Sequence, residues 1–198
     1  MADHIDDPAV AAIPAMTYAD LRPTLQSGDL LFCSGNYLVS KLIRKFTKSR
    51  WSHIGIVLWA TQINRVLLLE SVEDVGVRLA PLSKYVLDYE NGEPYDGALV
   101  IARIGALTSQ ILVGSASFGA DQLTRPYDKD EIGRIVARIA LGIKQTMQDQ
   151  GEYICSELVH ACFQAGGIVL NTSGEGFVSP EDIWRDGRVT PVARFTTA

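Results

Sequence analysis

Along this chain, short apolar blocks come first and a helical period takes over later. Asp29-Leu30-Leu31-Phe32-Cys33, entered through Ser27-Gly28, predicts a buried strand. Residues 52–60 and 65–72 read the same way, and Thr61-Gln62-Ile63-Asn64 between them is of hairpin length. A third strand over 76–79 and a fourth over 98–104 would continue an antiparallel meander. Between these two lie a helical turn over 81–87 and a loop at Asn91-Gly92.

The helical signals are more scattered. Residues 17–25 predict a short helix interrupted at Pro23. Asn36 caps a second, with Leu38, Val39, Leu42, Ile43 and Phe46 as its apolar stripe. Ile132, Ile135, Val136, Ile139, Ala140 and Ile143 follow the helical period after the acidic start Asp128-Lys129-Asp130-Glu131. In 152–163, Leu158, Val159 and Cys162 share one face with Cys155, and Gly166-Gly167 ends the helix. Ser179-Pro180-Glu181-Asp182 opens a short helix through Trp184. Strands first and helices later predict an α+β domain. Residues 1–16 are acidic, alanine-rich and aperiodic, so they read as a tail, leaving 17–198 as a single domain.

A length of 198 residues suits one well-cored domain, and 47% hydrophobic with 21% charged residues excludes wholesale disorder. The net charge of −5 gives no general reason to expect nucleic acid as a partner. Cys33, Cys155 and Cys162 are an odd number with no C-x-x-C pair, which argues against a disulfide framework and a structural zinc site. The start, Met1-Ala2-Asp3-His4-Ile5-Asp6-Asp7, is acidic where a secretory signal needs positive charge, and no apolar run spans a membrane. A cytoplasmic location is the expectation.

The helix carrying Cys155 holds the candidate chemistry. Near a helix N-terminus, unsatisfied N–H groups and the macrodipole favour a thiolate, which makes a nucleophile. Taken alone, the stretch reads more readily as a small core cysteine. A nucleophilic cysteine needs a base, and the chain has three histidines. His4 lies in the tail. His160 is about 140° around the helix from Cys155. His53, at the start of an apolar strand, remains. Glu70 follows Leu67-Leu68-Leu69, in a strand too apolar to hide a carboxylate without a partner. An even-length hairpin loop would set residue 53 opposite 70 or 72, so that His53 and Glu70 point the same way. Glu70 would then hold the imidazole in its productive tautomer.

Glu157 and Asp29 are competing acids. Glu157 is about 200° around the helix from Cys155 and suits a structural hydrogen bond, while Asp29 suits a turn. For an oxyanion the natural donor is the Cys155 N–H, with Tyr153 and Tyr127 as side-chain candidates. Lys41, Arg44, Lys45 and Lys48 form a basic island that suits an anionic substrate or a lipid surface, although a solvated helix face accounts for them more simply.

Taken in order, Gly28-Asp29-Leu30-Leu31-Phe32, Trp51-Ser52-His53-Ile54-Gly55-Ile56-Val57, Leu69-Glu70-Ser71, Pro126-Tyr127-Asp128, Tyr153-Ile154-Cys155-Ser156-Glu157-Leu158-Val159 and Ser179-Pro180-Glu181-Asp182-Ile183 resemble the permuted papain-fold cysteine hydrolases of NlpC type, YiiX-like. The resemblance implies a small antiparallel barrel-like sheet packed against helices and a Cys155/His53/Glu70 site; no cofactor or metal is expected. It also implies a small peptide, amide or acyl substrate. A related branch, like lecithin:retinol acyltransferase, works on lipid esters. That branch typically carries Asn-Cys-Glu-His around the nucleophile and a histidine as third polar residue; Ile-Cys-Ser-Glu and Glu70 here point to the peptidase or amidase side. Acyl transfer on the same site, and a non-catalytic binding module of the same fold, are the alternatives.

Overall fold

The computed structural model describes residues 8–35, 49–127, 154–172 and 178–196. The helix expected after Asn36, with Lys41, Arg44, Lys45 and Lys48, lies outside them, as does the one expected over 132–143. The strands are β1 Ala15–Met16, β2 Leu30–Gly35, β3 His53–Ala60, β4 Arg65–Val72, β5 Gly76–Pro81, β6 Gly97–Ile104 and β7 Val189–Phe195. They form one sheet in the order β1-β7-β6-β2-β3-β4-β5, antiparallel throughout except for the β1–β7 pair. The helices are α1 Pro8–Ala11, α2 Tyr18–Leu21, α3 Leu82–Leu87, α4 Ser109–Asp121, α5 Cys155–Ala165 and α6 Pro180–Trp184. None of them is long and apolar enough to cross a membrane.

The strands read as nearly continuous apolar runs because both faces of the sheet are buried. Leu30, Phe32, Ile54, Ile56 and Leu69 share a core with Leu158, Val159, Cys162 and Phe163 of α5. On the other face, Leu31, Cys33, Val57 and Leu68 share one with Leu82, Tyr85 and Val86 of α3. The domain is thus α+β, with α5, the helix that begins at Cys155, on one face and α3 on the other.

Two expectations are corrected. Residues 8–16 are not a loose tail: Val10 and Ile13 are buried, and β1 pairs with the end of β7. The fourth predicted strand, β6, does not continue the meander but crosses back between β2 and β7. A helix and a strand also went unpredicted. In α4, glycine and serine carry the packing: a Cβ on Gly114 would stand 3.1 Å from the Gly166 Cα, and one on Gly119 2.2 Å from Leu69. A helix that packs through such small residues shows little hydrophobic period. β7 contains Pro191, which argues against a strand; it sits opposite Ala102, where the β6–β7 register shifts.

Gly76 opens β5 at φ +79°, and a Cβ there would lie 2.1 Å from the Arg125 carbonyl oxygen. That carbonyl accepts from the Val77 N–H at 2.9 Å, and Thr124 N–H donates to the Val77 oxygen at 3.0 Å. Residues 124 and 125 thereby cover the start of the edge strand next to the site. Gly76→Ala should cost about 2–4 kcal/mol, from the left-handed φ and the clash together, read as a lowered denaturation midpoint. An unchanged midpoint would mean that this clasp contributes nothing.

Candidate active site

The β3–β4 pairing runs from Ala60↔Arg65 to Ile56↔Leu69. Continued one step at a time, it sets residue 55 opposite 70 and residue 53 opposite 72, so His53, Gly55 and Glu70 share a face. Gly55 puts no side chain between the other two. His53 Nε2 reaches Glu70 Oε2 at 2.7 Å, as the even-length connection predicts.

Glu70 is fully buried, and a carboxylate there needs donors on both oxygens. Arg78, directly across the β4–β5 ladder, donates from Nε to Oε1 at 2.9 Å. The Tyr85 hydroxyl, presented by α3, donates to Oε2 at 2.5 Å. Burial alone would raise the Glu70 pKa. Hydrogen bonds and charge from His53, with Tyr85 and Arg78, overcome it and hold the carboxyl below its ordinary value.

Cys155 is the first residue of α5, and Glu157 closes the helix start by accepting from the Ile154 N–H at 3.4 Å. Leu158, Val159, Cys162 and Phe163 fix the helix against the sheet. His53 is in hydrogen-bond and charge contact with Cys155. Because Nε2 is committed to Glu70, Nδ1 is the ring nitrogen that remains for the cysteine. Burial pushes the His53 pKa down, but its interactions with Cys155 and with the Glu70 carboxylate outweigh it and raise it to about 10. His53 therefore keeps its proton through neutral pH. Cys155 belongs to the core under α5, whereas Glu70 lies in the layer with Tyr85. The first residue of β3 stands where one ring can touch both.

The other sequence candidates separate cleanly. Asp29 accepts from the Gln26 N–H at 2.8 Å and pairs with Arg103 at 2.7 Å, a turn-fixing role. Tyr127 packs on Ile154 and lines a cavity of about 500 Å³ beside His53. Tyr153 lies outside the described residues. Arg78 and Tyr85 were missed. Registering the third strand would have found Arg78 opposite Glu70, whereas nothing in the sequence pointed from Tyr85 to β4. Tyr85, Tyr89 and Tyr95 form one aromatic wall of the cavity, with ring centroids 4.8 to 5.6 Å apart.

Among solved structures, the crystal structure of metalloprotein yiiX from Escherichia coli O157:H7 matches with a TM-score of 0.62 at 21% identity. The match covers 85% of this chain and 96% of that one, a likeness of fold. Comparison with curated proteins gives no match. A metal does not fit the residues here: both Glu70 oxygens and His53 Nε2 are committed to one another and to Arg78 and Tyr85. Among the described residues, no group of three or more His, Cys, Asp or Glu side chains is placed to hold an ion. The sequence profile of the permuted papain-like amidases YaeF and YiiX matches residues 24–175, a span that takes in His53, Glu70 and Cys155, and the chain belongs to that family.

Proposed function

We propose that this protein is a thiol hydrolase that cleaves an amide bond in a small peptide or other polar amide. The observation that carries the reading is one imidazole held by a buried carboxylate at 2.7 Å while it contacts the cysteine at a helix start. The Cys155 thiolate attacks the carbonyl carbon, and the oxyanion is met by the Cys155 N–H, with Tyr127 and Tyr153 as candidate helpers. His53 Nδ1–H protonates the departing amine as the C–N bond breaks, leaving a thioester. The neutral imidazole then takes a proton from water, hydroxide attacks the thioester, and the thiolate leaves with a carboxylic acid as product.

The cavity favours hydrolysis of a polar amide over transfer of a long acyl chain. Glu73, Asp74, Lys84 and Glu90 line it together with the tyrosines, and burying a hydrocarbon tail among charged groups would cost their solvation.

Thiol labelling tests the reading. Cys33 and Cys162 are fully buried. Burial pushes both thiols up, with Glu70 and Cys155 adding to the rise at Cys33, and Cys162 reaches about 12. Iodoacetamide should therefore alkylate Cys155 first near neutral pH, with His53→Ala slowing the reaction about tenfold there and less as pH rises. Equal labelling of all three thiols, or a rate indifferent to His53 at every pH, would leave the fold as a binding module without this chemistry.

A further inference from the structure

We propose that Arg78 is a positioning residue of this site: its guanidinium keeps the Glu70 carboxylate ionised and turned so that Oε2 faces His53. The inference rests on reading Cys155, His53 and Glu70 as the catalytic set, and deepens it.

The argument begins with what happens to Glu70 during a turnover. While His53 is an imidazolium, Glu70 has a cation beside it. Once His53 has given its proton to the leaving amine, that cation is gone, and a fully buried carboxylate would face the whole cost of its charge. It would then draw a proton or turn away, and the imidazole would lose its orientation just when it must act as a base. Arg78 supplies a cation that does not titrate and so outlasts the change. With it, the Glu70–Arg78 pair stays neutral at each step while the proton moves between sulfur, His53 and substrate.

The geometry divides the work between the two oxygens. Arg78 Nε takes Oε1 at 2.9 Å, so Oε2 is left to His53 at 2.7 Å and to the Tyr85 hydroxyl at 2.5 Å. Pinned at both ends, the carboxylate cannot rotate. The β4–β5 ladder sets Arg78 directly opposite Glu70, so the cation comes from a neighbouring strand and not from a loop. The groups that face Glu70 are His53 from β3, Arg78 from β5, Tyr85 from α3 and, at longer range, Cys33 from β2. Arg78 is the lasting cation among them. Its side chain is 33% exposed and lines the cavity, so direct contact with substrate is the rival role.

Arg78→Gln removes the charge but keeps a donor, whereas Arg78→Lys keeps the charge. The readouts are the Glu70 carboxyl-carbon titration by NMR and the pH profile of Cys155 alkylation by iodoacetamide, both on the full chain. In Arg78→Gln the Glu70 midpoint should rise by about one pH unit or more, carrying the acid limb of the alkylation profile with it. In Arg78→Lys both should stay within a few tenths of a unit. With Glu70→Gln already in place, Arg78→Gln should change the alkylation rate by no more than about twofold, since the group it acts through is gone. A folded Arg78→Gln protein with a wild-type Glu70 midpoint overturns the proposal. So does an equal rate loss with and without Glu70, which would assign Arg78 to packing or to direct contact. If Arg78→Gln does not fold, an upward shift of the Glu70 midpoint in Arg78→Lys overturns it and an unmoved one supports it. The carboxyl titration needs no reactive thiol: an inert Cys155 in the wild-type protein sinks the hydrolase reading, and the NMR midpoint still decides whether Arg78 governs Glu70.

Discussion

Cys155→Ser should abolish amide hydrolysis, by at least about a thousandfold in kcat/KM, in a protein that stays folded. A serine hydroxyl ionises far less readily than a thiol, so His53 would face a neutral alcohol and not a thiolate, and the attack loses its nucleophile. A thousandfold loss is about 4 kcal/mol of transition-state stabilisation, within what removal of a covalent nucleophile costs. The side chain shrinks only slightly and stands at the first position of α5, 6% exposed, next to the N–H groups of a helix start. Its denaturation midpoint should fall by the equivalent of about 1 kcal/mol or less. Cys162→Ser is the matched control. That sulfur is fully buried and close to the α4 backbone, where a Cβ on Gly119 would lie 3.0 Å away. A hydroxyl there loses stability, about 1–3 kcal/mol, and leaves the rate constant untouched. Turnover of a cleaved amide and thermal melts, measured on both variants, separate the roles. Equal activity loss in two folded proteins would remove Cys155 from its place as nucleophile.

What the sequence disclosed was local and periodic; what it withheld depended on non-local packing. The 53–60 and 65–72 strands announce themselves by apolar runs on either side of a short connection, and once that connection is even in length the shared face of His53 and Glu70 follows from the period of two. Cys155 is legible because helix periodicity and the glycines after it fix both ends of α5; Gly167, at φ +97°, is the left-handed residue that the ending requires. Arg78 and Tyr85 carry no signal of their own. One needs a second strand register, the other the docking of a helix on the opposite face, and no single-element pattern encodes either. The same reason hides α4, whose packing runs through glycine and serine, and the docking of Val10 and Ile13. The crossover of β6 to β2 is likewise topological: adjacent strands in a sequence pair often enough that a meander is the natural guess, and here the chain inserts α3 and returns to the middle of the sheet.

Glu70→Gln should cost about a hundredfold to a thousandfold in kcat/KM, corresponding to about 2.7–4 kcal/mol, although the new side chain has nearly the shape of the old. Three donors converge on this carboxylate: Arg78 Nε on Oε1, His53 Nε2 and the Tyr85 hydroxyl on Oε2. A carboxamide offers one acceptor and one donor, so one side of that arrangement must fail. If its oxygen stays toward His53 and Tyr85, its NH2 faces the Arg78 N–H. If it turns over, the NH2 faces His53, and only an imidazole that has lost its Nε2 proton can accept from it. In both orientations the imidazolium loses its anionic partner, and the His53 pKa should fall from about 10. The thiol then has to ionise with less help, so alkylation and turnover should be most depressed near neutral pH and recover in part as pH rises. Stability follows its own pH dependence. Glu70 titrates below its ordinary value in the folded protein, so the stability it contributes is present above about pH 4.3 and is lost as pH falls through the folded value. Glutamine does not titrate, hence the wild-type advantage in denaturation midpoint should be full at neutral pH and shrink on acidification. A Gln variant that turned over and melted like wild type across that range would reduce the site to Cys155 and His53 alone.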